Sequence, residues 1–120
     1  MRIIRTYNYE QMSEEAAKLV AGQLWLKPAS VLGLATGSTP LGLYKKLVDL
    51  HDTVGLSFAQ TKTFNLDEYV GLTPADEQSY YYFMQKNLFS KVDIKPENTA
   101  IPDGMAVDPE KEGERYERAI

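Results

Sequence analysis

The sequence predicts an α/β layered fold with a mostly parallel sheet. Short strand-like runs at Ser30–Ala35 (SVLGLA) and Lys62–Leu66 (KTFNL) alternate with stretches of helical periodicity. Strands separated by helices of about ten or more residues pair in parallel through right-handed crossovers. SVLGLA is apolar without alternation, the pattern of a strand covered on both faces. In such folds ligands gather at the carboxyl ends of the strands. The segments TGST and DEYVG both fall there.

The elements follow in chain order. Arg2–Thr6 (RIIRT) reads as a short edge strand flanked by charge. Asn8 and Gln11 form a capping-box pattern that opens a helix over Asn8–Lys27, with Tyr7 and Met12 at the positions of a hydrophobic staple. Met12, Ala16, Leu19, Val20 and Leu24 give its buried face, Pro28 ends it, and Trp25 reads as a packing residue. After SVLGLA and the turn Thr36–Thr39, Pro40 suits the first position of a helix capped by Thr39. That helix carries Leu43, Leu47 and Leu50 on one stripe, and His51 near its C-terminus is expected to be solvated. Ser79 caps a helix whose inner face is Phe83, Met84, Asn87 and Leu88. The run Tyr80–Phe83 spans every side of that helix, so some rings face the core and others solvent. Thr99–Pro102 is a short strand candidate. Asp108 and Pro109 open a last helix in which Gly113, Tyr116 and Ile120 keep helical spacing and Glu114 and Arg118 stand four apart.

That helix stops at Ile120 in mid-pattern, without a glycine, asparagine or proline stop signal. A three-strand parallel core also leaves an unpaired edge. Residues 1–120 are therefore expected to be the N-terminal half of a single longer α/β domain; the plainer reading is a frayed end on a small complete one.

Composition narrows the chemistry. The 120 residues are 43% hydrophobic and 25% charged, ordinary globular material, with a net charge of −4 and scattered basic residues. Nucleic-acid and membrane-surface partners lack the basic footprint they need. No stretch has the length of a signal peptide or a spanning helix, and a cytoplasmic location is expected. With no cysteine and one histidine, a thiolate or histidine-built metal site is not expected. The chemistry must use carboxylates, hydroxyls, amines and backbone amides.

In the turn T-G-S-T-P, a strand runs into a helix N-terminus, where backbone N–H groups and the macrodipole favour an anion, above all a phosphate. Gly37 permits close backbone approach, and Thr36, Ser38 and Thr39 each offer a hydroxyl. The segment lacks both the G-K-[ST] of a P-loop and the three-glycine dinucleotide fingerprint, which favours a small phosphate ester over a nucleotide. On spacing alone, Thr39 serves equally well as a cap and Gly37 as a plain turn residue. Of the adjacent carboxylates Asp67 and Glu68, only one should face a ligand pocket, because neighbours on a strand point to opposite sides. Such a carboxylate beside a bound phosphosugar can act as a general base; the plainer reading is a solvated acidic loop.

Together, LGLATGSTPLGLYKKL, FNLDEYVGL and QSYYYFMQKNLF resemble the glucosamine-6-phosphate deaminase family, also called glucosamine-6-phosphate isomerase, colinearly from about Ile3 onward. The resemblance implies a three-layer, Rossmann-like fold of the sugar-phosphate isomerase/deaminase type. It implies a cofactor-free conversion of glucosamine 6-phosphate to fructose 6-phosphate and ammonia, in amino-sugar catabolism. It places the phosphate on Thr36, Gly37, Ser38 and Thr39, and makes Asp67 the base that moves a proton between C2 and C1. Tyr69 separates the sequence from the related 6-phosphogluconolactonases, which usually have arginine after D-E. The family's later Asn-Gly-His-type segment, which serves ring opening, and its later basic phosphate ligand do not occur in these 120 residues, so the chain alone is expected to be inactive. Two rival readings share the turn: a 6-phosphogluconolactonase-type hydrolase, and a sugar-phosphate-sensing regulatory domain, which calls for an attached basic helix-turn-helix.

Overall fold

The computed structural model describes residues 1–120. Four helices, α1 (Tyr9–Leu26), α2 (Leu41–Val54), α3 (Tyr80–Asn87) and α4 (Pro109–Ala119), alternate with strands β1 (Val31–Leu34), β2 (Lys62–Asn65) and β3 (Thr99–Ala100). The sheet is parallel throughout, in the order β1-β2-β3, with Leu34 opposite Asn65 and Phe64 opposite Ala100. This is the α/β architecture that the alternating pattern predicts.

Paired residues of parallel strands share a face, and the two faces are covered unequally. Leu34 joins Ala17, Ala21 and Leu24 of α1, Tyr44 and Leu47 of α2, Met84 of α3 and Leu88 at its C-terminal cap in one hydrophobic core. The opposite face receives only α4, through Tyr116, whose ring stands edge-on to Phe64 at 6.1 Å. The Tyr116 hydroxyl directs its one proton at the carbonyls of Asn65 (2.7 Å) and Ala100 (2.9 Å), pinning α4 to the carboxyl ends of β2 and β3. Burial raises the pKa of that phenol. β1 lies outside this cover: Val31 is 61% exposed. The expectation of a strand sheathed on both sides is corrected accordingly.

Other expectations are also corrected. Arg2–Thr6 forms no strand, since none of the three strands pairs with it; Ile3 and Ile4 are exposed. Asn8 caps α1 by accepting from Gln11 N–H (2.8 Å), while the Gln11 side chain returns to Tyr7 N–H (2.7 Å), one residue earlier than a capping box requires. No staple forms, because Tyr7 is almost fully exposed. The buried face of α1 is Ser13, Ala17, Ala21 and Leu24 rather than the stripe through Met12 and Leu19, both of which are exposed. The small side chains win because they let α1 lie close on α2: a Cβ on Gly42 would collide with Ser13 Oγ. Trp25 is exposed, not packed. His51 is half-buried rather than solvated, with Nδ1 donating to Leu56 O at 2.7 Å and standing 3.7 Å from Asp93 Oδ1. In α4, Arg115 pairs with Glu112 at 2.6 Å, and the Glu114–Arg118 pairing is not used.

The α3 face agrees with expectation: Met84 and Leu88 are buried and Phe83 packs on the core. Asp108 caps α4 by accepting from Glu110 and Lys111 N–H. No helix is long and apolar enough to cross a membrane.

Candidate functional site

Leu34 and Asn65 are register partners, so two residues further on Thr36 and Asp67 leave the sheet at the same carboxyl edge. The turn after β1 reverses through Gly37, whose φ of 99° is left-handed and strains any residue with a Cβ. Ser38 and Thr39 are exposed. Helix α2 starts at Leu41, with Pro40 in the cap position and no side-chain cap bond. The expected capping by Thr39 is therefore corrected, and its hydroxyl is free of that duty. Below the turn, buried Tyr44 donates its hydroxyl proton to Ala35 O, fastening α2 to the end of β1. Burial pushes this phenol up to about 12.

After β2 the two acidic residues take different work. Glu68 turns to the start of α3. Its Oε1 accepts from Tyr69 N–H (2.9 Å) and Tyr80 N–H (2.8 Å), and its Oε2 accepts from Tyr81 N–H (2.9 Å). Ser79 Oγ accepts from Tyr82 N–H (3.1 Å), and Ser79 O from Phe83 N–H. The open donors of the first turn of α3 are thus met, two of them by a carboxylate placed where the helix dipole favours negative charge. Asp67 stays exposed. The loop is closed from its far side, where Gly71 donates to Gly104 O at 2.7 Å and a Cβ on Gly104 would strike Tyr69 O.

Tyr80 packs against the loop that carries Asp67. Its ring and that of Tyr69 lie 4.7 Å apart, tilted by 43°. The Tyr80 pKa is raised, chiefly by the neighbouring Tyr69 hydroxyl; partial burial and the nearby charge of Asp67 act in the same direction, and the Thr36 hydroxyl opposes them.

The residues singled out from sequence therefore converge on one edge, but not in one enclosed cavity. Ser38 and Thr39 border an open hollow of about 800 Å³ with Tyr9, Met12, Gly42 and Lys45. Asp67 borders a smaller one, about 210 Å³, between its loop and α4. Sequence reasoning missed three participants. The Glu68 clamp was open to discovery, since a carboxylate can cap a helix whose Ser79 cap was already recognised. The ring contact of Tyr80 with Tyr69 and the contact of Tyr9 with the turn span too much chain for any local signal. No group of three or more acidic or histidine side chains is disposed to hold a metal ion.

The profile of the family described as glucosamine-6-phosphate isomerases/6-phosphogluconolactonase matches residues 8–120. The chain is 52% identical over all 120 residues to a glucosamine-6-phosphate deaminase of Clostridium botulinum strain Langeland, covering 49% of that protein. It is also 52% identical to one of Thermoanaerobacter sp. strain X514, covering 47%. Among solved structures, one described as a monomeric glucosamine-6-phosphate deaminase superposes with a TM-score of 0.95 at 44% identity, over 99% of this chain and 49% of that one. A 6-phosphogluconolactonase of Thermotoga maritima superposes with a TM-score of 0.72 at 23% identity, over 98% of this chain and 51% of that one, a likeness of fold. The chain spans about half the length of the curated relatives it matches. It belongs to the glucosamine-6-phosphate isomerase/6-phosphogluconolactonase family.

Proposed function

We propose that this chain is the N-terminal half of an enzyme that converts glucosamine 6-phosphate and water to fructose 6-phosphate and ammonia, in amino-sugar breakdown. The observation that carries the reading is the division of labour at the sheet edge. Glu68 is consumed by the start of α3, while Asp67, exposed beside it, leaves the sheet at the same carboxyl edge as the Thr36–Thr39 turn.

The substrate phosphate sits on the turn, against the hydroxyls of Thr36, Ser38 and Thr39 and the backbone amides at the start of α2. Gly37 lets the backbone approach it. Anchoring the phosphate fixes C2 of the opened sugar relative to the carboxylate, so that proton transfer becomes effectively intramolecular. Asp67 takes the proton from C2, giving an enolamine. Returning the proton at C1 leaves an imine at C2, which adds water and expels ammonia. No cofactor enters this sequence. Ring opening falls to residues outside these 120, and for that reason the chain alone lacks appreciable turnover. Tyr69 stands where the lactonases usually carry arginine, which favours deamination over lactone hydrolysis.

The test is Asp67→Asn in the complete gene product, assayed for ammonia release. A positioned general base contributes about 10² to 10⁴ in rate, so kcat should fall by that order while binding of the phosphate ester persists. Near-normal turnover would reject Asp67 as the base. Hydrolysis of phosphogluconolactone by a wild-type protein that releases no ammonia would replace the reaction, and ester binding without either turnover would favour a sensing domain.

A further inference from the structure

We infer that Tyr9, on the first turn of α1, is a positioning residue that sets the shape of the phosphate turn. Its hydroxyl reaches thirty residues along the chain to both sides of the α2 start. The single phenolic proton is directed at Ser38 O (2.7 Å) and Thr39 O (3.1 Å), and the oxygen accepts from Gly42 N–H (2.8 Å). Each contact bears on anion binding. Engaging the Ser38 carbonyl turns it toward α1, which leaves the opposite side of the Ser38–Thr39 peptide unit, where the Thr39 N–H points, for a ligand, and the bond to the Thr39 carbonyl holds the Thr39–Pro40 unit in the same orientation. Taking the Gly42 N–H satisfies one open donor of α2 from behind the turn. Pro40 has no N–H, so the amides left to an anion are those of the turn and Leu41.

The close approach that permits this bond is built in. Only glycine fits at position 42, where a Cβ would meet Ser13 Oγ and would lie 2.9 Å from the Tyr9 ring. Tyr9 is itself 49% exposed, so its ring contributes little to the core and its hydroxyl is the group with work to do.

This inference rests on the turn being the phosphate seat, and the test separates the two. In the complete protein, Tyr9→Phe removes the hydroxyl and keeps the ring, a change that a half-exposed position at a helix start tolerates. KM for glucosamine 6-phosphate and Ki for inorganic phosphate as a competitor should rise together by about 3- to 10-fold, the size of one net hydrogen bond, with kcat moving less than about twofold. Ala17→Gly loosens the same helix within the core, away from the turn. It should lower the melting temperature and leave the Ki of phosphate in place. An unchanged Ki in Tyr9→Phe, or an equal rise in Ala17→Gly, overturns the role of Tyr9 alone. A wild-type protein that inorganic phosphate and phosphate esters fail to bind overturns the phosphate seat and this inference with it.

Discussion

Replacing Glu68 tests whether the adjacent carboxylates have separate duties. In the folded chain Glu68 accepts three backbone hydrogen bonds of 2.8–2.9 Å, two of them from the first turn of α3. Glu68→Ala removes all three. Water replaces part of each at this half-buried site, so each is worth about 0.5–1 kcal/mol, and loss of negative charge at the helix start adds about 0.3–1 kcal/mol. The expected destabilisation is ~2–4 kcal/mol. Glu68→Gln keeps Oε1 as the acceptor for Tyr69 and Tyr80 but can turn an amide donor toward the donor of Tyr81, for a loss of ~1–2 kcal/mol. Urea unfolding of the complete protein measures both, and about 2–4 °C of melting temperature accompanies each kcal/mol in a domain twice this length. Turnover should fall about tenfold in either variant, because the loop carrying Asp67 loses its anchor to α3. Unfolding free energies within 0.5 kcal/mol of wild type, a margin typical of neutral surface substitutions, would refute the clamp. So would a Glu68→Gln protein of normal stability with turnover reduced a thousandfold, since Glu68 would then be the base.

Three further outcomes follow from the same geometry. Tyr116→Phe should cost ~1 kcal/mol in urea unfolding, the value of the hydroxyl that ties α4 to β2 and β3; an unaltered midpoint would mean that ring packing alone docks α4. Gly104→Ala drives a methyl group into the backbone of the 69–72 loop, so a loss of ~1–3 kcal/mol with reduced turnover is expected, and a fully stable, fully active variant would contradict the close approach. Tyr44 holds its proton to about 12 when folded against about 10 in an unfolded chain, so the native state binds more protons between those values and stability falls as pH rises from about 10 to about 12. Allowing for partial solvent screening the loss approaches ~2 kcal/mol, read as the difference between wild type and Tyr44→Phe in denaturant melts; parallel pH profiles would exclude it.

The sequence determined the order of elements and the edge on which chemistry collects. Strand-like runs ahead of helical periods require parallel pairing, and TGST and DEYVG follow the strands whichever side chains fill the core. Ser79 and Asp108 were legible as caps because capping is local: the side chain bonds an amide two or three residues ahead. What the sequence could not decide was which side of each element would be buried. Periodicity assigned α1 a stripe through Met12 and Leu19, but the contact with Gly42 rewards small side chains over large ones, and the helix turned onto Ser13, Ala17 and Ala21. Pattern also gave Asp67 and Glu68 opposite directions without saying what lay in either. That depended on the first amides of α3, more than ten residues away, and their unmet donors drew in Glu68. Tyr9 at the back of the turn is the extreme case: its partners lie 29 to 33 residues along the chain, a separation at which only the packing of α1 on α2 brings donor and acceptor together.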